Sequence, residues 1–308
     1  MRLIFIATGD IALPAFRHLL AVGPKPLALV TQPDKPVGRK QVMTPPRIKV
    51  EALEAGISVF QPKIIGDIAD QLGSMKPQLL MVMAYGQILK ADLLGMPNVA
   101  IVNLHASLLP KYRGASCIQA AIDAGDQKTG VTAQLMVRKL DAGDIIHAKS
   151  IPIAKDETAG MLHDRLADLA VPVMSRTIEL VASGNVPRTP QDETLASYIG
   201  KLDREDGRLN WSKNAEQIER RIRAYEPWPG TYTTVVEEGG AEKRLKVFAP
   251  TTIGAHDSLK PGEVLVEGGR LWVGSGGGSL ELTTVQPEGS KRMAVSDYLK
   301  ARKPIRMV

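Results

Sequence analysis

One cysteine, Cys117, is all the thiol this 308-residue chain has, so no internal disulfide framework and no cysteine cluster for zinc are available to it. No pattern around Cys117 supports a nucleophilic role. The histidines and carboxylates show no ligand spacing either, so no metal is expected. Long apolar runs are also missing. The N-terminal run Leu3-Ile4-Phe5-Ile6-Ala7 follows a single Arg, and neither a signal-peptide pattern nor a membrane span is visible. The expectation is a cytoplasmic chain with no membrane contact and no obligate protein partner. Glycine is scarce where a dinucleotide fold needs it. The turn Ala7-Thr8-Gly9-Asp10 has one glycine in place of G-x-G-x-x-G, which argues against a pyrophosphate cradle.

What is present reads as an α/β protein of two domains, since the length exceeds that at which one core usually stops growing. Residues 2–7 read as a strand, Ala12 to Val22 as a helix with Pro14 in its first turn, and Pro26 to Thr31 as the next strand. A helix over Arg47 to Ala55 stopped by Gly56, a strand over 57–60, a helix over 66–74 and the apolar strand Leu79 to Ala84 continue the alternation. Such alternation predicts a mostly parallel, Rossmann-like sheet. Ala115 to Ala124 and Met161 to Ser183 read as further helices. Asn185, Pro187 and Pro190 break the periodicity and predict a connection. After a charged helix over Lys213 to Arg223, short β-like runs such as "RLKVFAP", "GEVLVEGG" and "RLWVGSG" alternate with Gly and Pro. Their spacing predicts a small, OB-like β-barrel, a fold suited to nucleic acid but host to many functions. The expected division is 1–184, a linker over 185–210, and 211–308. Trp228, between Pro227 and Pro229, reads as a packed corner.

Residues 103–114, Asn-Leu-His-Ala-Ser-Leu-Leu-Pro-Lys-Tyr-Arg-Gly, are the most informative stretch. The apolar run Val99 to Val102 leads in as a buried strand, and alternation along it puts Asn103 and His105 on one side. An amide donor then stands beside an imidazole at the carboxyl end of a strand, where open α/β sheets keep their crevices. Ser107 to Pro110 turn sharply, and Lys111 and Arg113 put positive charge at the rim. A lone histidine at a strand end is more often structural, but the loop Leu140-Asp141-Ala142-Gly143-Asp144 supplies a carboxylate. If Asp141 meets His105, a donor, an acid/base and an orienting group share one site. Spacing alone leaves that meeting open.

The formal net charge is +6. A solvated basic surface explains such a balance, but clustering favours a polyanion. One cluster is Lys35 to Lys40 with Arg47 and Lys49, in a long loop over residues 31–50 where Arg39 and Lys40 are adjacent; loops of this length are usually functional or disordered. The other is the tail, which sets Lys291, Arg292, Lys300, Arg302, Lys303 and Arg306 against the lone acid Asp297, as a surface that follows phosphates would.

The run "NLHASLLPKYRGAS", followed by "AIDAGDQKTGVTAQLMVRKLDAGDII", resembles the folate-dependent formyltransferases, and the resemblance extends from about residue 3 to the C-terminus. It implies that Asn103, His105 and Asp141 are the catalytic trio and that Ser107, Leu108, Leu109 and Pro110 hold the folate. It also makes 10-formyltetrahydrofolate the co-substrate. The motif fixes the chemistry and not the acceptor. In the members that formylate initiator methionyl-tRNA, the loop matching 31–50 is an insertion that enters the acceptor end, with an Arg at the position of Arg39. Lys35, Lys40, Lys300, Arg302 and Lys303 join Arg39 as the implied tRNA contacts. The family usually reads Gly-Thr-Pro or Gly-Thr-Ser where this chain has Ala7-Thr8-Gly9, a departure that bears on how the pterin packs. The implied reaction moves the formyl group from N10 of the folate to the α-amine of methionyl-tRNA, for translation initiation. Asn103 and protonated His105 would stabilise the oxyanion, and Asp141 would favour the charged imidazole. The rivals are hydrolysis of the folate or transfer to a small-molecule amine, and, from another class, a non-catalytic tRNA-binding protein. The intact trio argues against the last.

Overall fold

The computed structural model describes residues 1–38, 40–96, 98–254 and 256–308. Arg39 therefore lies outside the described residues. Two compact units divide the chain: Met1–Cys117, Thr129–Ile151 and His163–Ile199 form the first, and Ile118–Lys128, Pro152–Leu162 and Gly200–Val308 the second. The stretch expected as a linker is thus shared, with residues through Ile199 packed in the first unit and those from Gly200 in the second. Two segments expected in the first domain, 118–128 and 152–162, join the second. Side chains of the charged helix hold them there: Arg221 pairs with Asp123 at 2.8 Å, and Arg223 donates to the Glu157 carbonyl at 3.0 Å.

The strands up to Ile199 are β1 (Leu3–Ala7), β2 (Ala28–Val30), β3 (Lys35–Val37), β4 (Val42–Thr44), β5 (Ser58–Phe60), β6 (Leu79–Met83), β7 (Ala100–His105), β8 (Arg113–Gly114), β9 (Lys128–Leu135), β10 (Ile145–Pro152) and β11 (Tyr198–Ile199). Seven of them form one sheet in the order β10-β9-β7-β6-β1-β2-β5. The run from β5 to β7 is parallel, and β9 joins β7 antiparallel. This is the expected Rossmann-like, mostly parallel sheet. All five side chains of β1 and of β6 are buried, as strands covered on both faces require. Ile4 and Ile6 pack with Val30, Leu80, Val82 and Leu93. Phe5 points the other way and meets Phe16 of α1 (Leu13–Ala21) at a ring separation of 5.7 Å. Pro14 opens α1, where its missing N–H costs nothing. The 31–50 loop is not structureless: β3 and β4 pair as an antiparallel hairpin, and α2 (Arg47–Glu54) starts directly after it.

The second unit carries β12 (Thr231–Glu237), β13 (Glu242–Gly254), β14 (Val264–Glu267), β15 (Arg270–Gly274), β16 (Ser279–Pro287), β17 (Met293–Ala294) and β18 (Pro304–Met307). They follow the order β14-β15-β16-β13-β12-β18, with β17 on β16. An antiparallel bridge between Glu263 and Arg306, and a bond from the Met307 N–H to the Gly262 carbonyl at 2.8 Å, draw the edges together into a nearly closed barrel. Alternate residues Leu245, Val247, Leu271, Val273, Leu280 and Leu282 fill it, with Ile218 and Ile222, one helical turn apart, covering the same core. The helix bearing them opens with a reciprocal cap between Asn214 and Gln217. Trp228 does not behave as a packed corner, since half of its surface (50%) is exposed. Among the described residues no helix is long and apolar enough to cross a membrane.

Candidate active site

The carboxyl end of β7 delivers Asn103 and His105 to one face of the sheet. The β9 register sets Gln134 opposite Asn103 and Thr132 opposite His105, so these four side chains share that face. Asp141 arrives from the loop between β9 and β10, and the three residues singled out in the sequence meet. Its Oδ1 accepts from Asn103 Nδ2 at 3.3 Å and from Gln134 Nε2 at 2.9 Å. Its Oδ2 accepts from the Gly114 N–H at 2.9 Å and lies 3.7 Å from His105 Nδ1. His105 Nε2 is 2.9 Å from the Tyr112 carbonyl. A carbonyl only accepts, so Nε2 carries a hydrogen, and a second one on Nδ1 suits the facing carboxylate. Burial pushes the imidazole pKa down, but the Cys117 sulfur, the Asp141 carboxylate and the Tyr112 carbonyl outweigh it and raise the value to about 9. The ring is therefore charged at neutral pH.

The backbone around this cluster is strained. Asp141 has φ +47° and Tyr112 φ +60°, left-handed conformations that cost about 1–3 kcal/mol each for a residue with a Cβ. Such strain persists only where the surroundings fix the chain. Gly143 is one reason that they do. The Leu135 N–H donates to the Asp144 carbonyl at 2.9 Å, which draws the loop so close to β9 that a Cβ on Gly143 would overlap the Leu135 carbonyl oxygen. Gly143→Ala is expected to lower stability by about 1–3 kcal/mol, read from the midpoint of chemical denaturation at unchanged m-value. A midpoint equal to that of the unaltered chain would show that the loop has slack.

The turn assigned to folate is tied to the same face. The Thr132 hydroxyl donates to the Ser107 carbonyl at 2.7 Å and accepts from the Leu109 N–H at 3.2 Å, while the Ser107 hydroxyl donates to the Lys111 carbonyl at 2.7 Å. Ser107 and Leu109 are buried in making this turn, and Leu108 and Pro110 keep accessible surface. In the first turn, Gly9 lies against the Ala84 Cβ position and donates to the Ala84 carbonyl at 3.1 Å. That close approach leaves little room for a larger residue.

Arg113 corrects the sequence reading. Expected at a charged rim, it is fully buried at 0% exposure. It forks onto Glu193 at 3.0 and 3.2 Å, donates to the Tyr198 hydroxyl at 2.7 Å, and holds Gln191 Oε1. Glu193, with Arg113 and Lys139 on it, has its pKa lowered to about 2. These partners come from the stretch expected as a linker, about eighty positions away, so no local signal announces the burial. Gln134 was missed as well. Its signal is faint: Thr132 and Gln134 are polar residues two apart at the apolar end of a strand that begins Lys128-Thr129. Nothing in the sequence pattern puts Cys117 in the site, yet it is buried beside His105.

Lys35 and Lys40 are exposed on the β3–β4 hairpin. Their cluster is smaller than the sequence suggests, because Arg47 pairs with Asp10 at 3.1 Å and Lys49 with Asp34 at 2.8 Å. The tail is likewise less bare. Besides Lys300 with Asp297 at 2.7 Å, the fold supplies acids remote in sequence: Arg302 meets Glu237 at 3.2 Å, Lys303 meets Glu238 at 2.8 Å and Arg292 meets Glu226 at 2.9 Å. Among the described residues no group of three or more His, Cys, Asp or Glu is placed to hold a metal ion.

Family models give this arrangement its class. The formyl transferase model matches residues 12–178, and the formyl transferase C-terminal domain model matches residues 201–303. The chain belongs to the formyl transferase family. The methionyl-tRNA formyltransferase of Akkermansia muciniphila is 47% identical over 302 residues, which cover 97% of this chain and 96% of that protein. The methionyl-tRNA formyltransferase of Moorella thermoacetica is 42% identical over 309 residues, with 97% and 96% covered. Within the family the chain thus groups with the methionyl-tRNA formyltransferases. Among solved structures, the N-formyltransferase of Helicobacter canadensis in complex with folinic acid and dTDP-3-aminofucose superposes at a TM-score of 0.67 and 16% identity, covering 95% of this chain and 100% of that one. HypX of Aquifex aeolicus in complex with tetrahydrofolic acid superposes at 0.62 and 18% identity over 97% of this chain, which spans 47% of HypX. At these identities the likeness is one of fold.

Proposed function

We propose that this chain transfers the formyl group of 10-formyltetrahydrofolate to the α-amine of initiator methionyl-tRNA. The observation that carries this reading is the convergence of Asn103, His105 and Asp141 in one nearly buried cluster at a strand end. It occurs in a chain whose relatives over almost its full length are methionyl-tRNA formyltransferases. The neutral amine attacks the formyl carbon, and the carbonyl electron pair moves onto oxygen. The Asn103 N–H not directed at Asp141 donates to that oxyanion, and so does the His105 Nδ1–H, which at 3.7 Å from Asp141 makes no full hydrogen bond to it; donors of this kind are worth on the order of 10²–10³ in rate each. Collapse breaks the bond to N10. The attacking nitrogen gives up one proton and N10 gains one, so tetrahydrofolate and formylmethionyl-tRNA leave with protons balanced. Cys117, Asp141 and the Tyr112 carbonyl together keep His105 charged. Leu108 and Pro110 offer the folate an apolar edge, while Ser107 and Leu109 shape the turn from inside.

Arg39, Lys35 and Lys40 bind the acceptor end of the tRNA in this reading, and Lys300, Arg302 and Lys303 exchange their carboxylates for phosphates. The Lys300 and Lys303 pairs are exposed and weak, so their exchange costs little, and the buried Glu237 keeps Lys243 when Arg302 leaves it. With about four phosphates neutralised, tRNA affinity is expected to fall on the order of 10²-fold between about 50 and 200 mM salt. Filter binding across that range checks it, and a flat response would remove the basic residues from the interface. The reading carries a cytoplasmic location with it. The direct test supplies labelled 10-formyltetrahydrofolate with charged initiator and elongator methionyl-tRNAs. Label on the initiator species is expected. Formate released without tRNA would make the chain a hydrolase, and tight tRNA binding without turnover would make it a binding protein.

A further inference from the structure

The buried Arg113 sets the direction of two amides that end on Asp141. A guanidinium only donates, so the side of Gln191 facing Arg113 Nε at 3.1 Å and Nη2 at 2.9 Å must be its oxygen. Its NH₂ group is thereby turned toward the Asp141 loop. There it reaches the Gly143 carbonyl at 2.7 Å, the Asp141 carbonyl at 2.9 Å and Gln134 Oε1 at 3.2 Å. Gln134 is oriented by the same logic. With its oxygen toward Gln191, its NH₂ faces Asp141 Oδ1 at 2.9 Å. A flip of either amide would set an oxygen against an acceptor. The segment that brings Gln191 is itself tied down, by the Ile145–Thr189 bridge, by β11 lying parallel to β8, and by the Arg113 N–H on the Ser197 carbonyl at 2.8 Å. Glu193 neutralises Arg113, without which a buried charge would not be tolerated.

We propose that Gln191 is a positioning residue for formyl transfer: held by Arg113, it clamps the Asp141–Gly143 backbone and aims Gln134, so that the Asp141 carboxylate stays directed at His105 and Asn103. Gln191 touches no reacting atom. It acts by fixing a strained loop whose carboxylate has three hydrogen-bond donors and a neighbouring imidazolium to satisfy at once, in a site where a displacement of about 1 Å can cost on the order of 10²-fold in rate. The proposal rests on the transfer reaction stated above.

Two variants separate aiming from bulk. Gln191→Met keeps the size and loses both polar ends. Gln191→Glu keeps the size and the grip on Arg113 but has no N–H for the loop. Both are expected to lower kcat by about 10- to 100-fold, with KM for folate and for tRNA within about twofold. In an Asp141→Asn background either change is expected to have little further effect, because the group it aims is already gone. A Gln191→Glu chain turning over within about twofold of the unaltered one overturns the proposal, and so does a loss of equal size in the Asp141→Asn background. If the unaltered chain transfers nothing to methionyl-tRNA, the function reading fails and the network is judged on His105 by NMR titration. The ring there faces Asp141, Cys117 and the Tyr112 carbonyl. A midpoint lower in Gln191→Met than in the unaltered chain supports the clamp, and an unchanged midpoint removes it.

Discussion

His105→Ala is expected to lower kcat by about 10²–10³-fold, the range set by losing one preorganised donor to an oxyanion. The Asp141 carboxylate keeps Asn103, Gln134 and the Gly114 N–H in this variant, so its loop has no reason to move. The fold is therefore expected to survive, and the loss should fall on the chemical step with KM little changed. A second consequence separates this residue from a structural histidine. Its pKa is raised from 6.5 to about 9 in the folded chain. The protonated ring thus stabilises the fold in full below about pH 6.5, and the contribution is lost as pH rises through 9. The unaltered chain should lose stability over that window relative to His105→Ala, whose curve lacks this slope. Single-turnover rates with saturating folate and methionyl-tRNA, alongside denaturation midpoints at several pH values, read both effects. A rate within about tenfold of the unaltered chain would take His105 out of the chemistry.

The parts of this fold legible in the sequence are those decided by neighbours along the chain. β1 and β6 are apolar at every position, which only a strand covered on both faces tolerates. Pro14 at the start of α1, and Asn103 and His105 two apart in β7, follow from local geometry alone. The meeting of Asp141 with His105 was open because it depends on β9 turning antiparallel against β7, a register that no spacing states. Arg113 reads as a surface cation until Glu193, Gln191 and Tyr198 return to it from far along the chain. The tail looks bare of acids because Glu226, Glu237 and Glu238 belong to an earlier turn and strand of the barrel. The two compact units differ from the division read along the sequence for a related reason: residues 118–128 and 152–162 are sorted by tertiary contacts, Arg221 on Asp123 among them, that composition does not announce.

Asp141→Asn is expected to move the pH dependence as well as the rate. In the unaltered chain kcat/KM should rise as the acceptor amine loses its proton and fall again as His105 loses its own near pH 9. The amide that replaces Asp141 carries no charge to hold the imidazolium, so the His105 pKa drops and the descending limb shifts toward lower pH. The two limbs then crowd together and the maximum shrinks. The amide also fits its pocket poorly. The carboxylate accepts from Asn103, Gln134 and the Gly114 N–H, and an amide has one oxygen, so at least one buried donor meets an NH₂ group at a cost of about 1–3 kcal/mol. At neutral pH the combined loss in kcat is expected to be on the order of 10²-fold, since both the protonation of His105 and its aim are affected. The ascending limb belongs to the tRNA amine and should stay where it was. That asymmetry is the diagnostic feature, because a variant that had merely loosened the fold would lower the whole profile without sliding one side of it. A profile of Asp141→Asn whose descending limb remains near pH 9 would mean that Cys117 and the Tyr112 carbonyl suffice to hold the charge on His105, and Asp141 would then be a loop anchor rather than the partner of the imidazole.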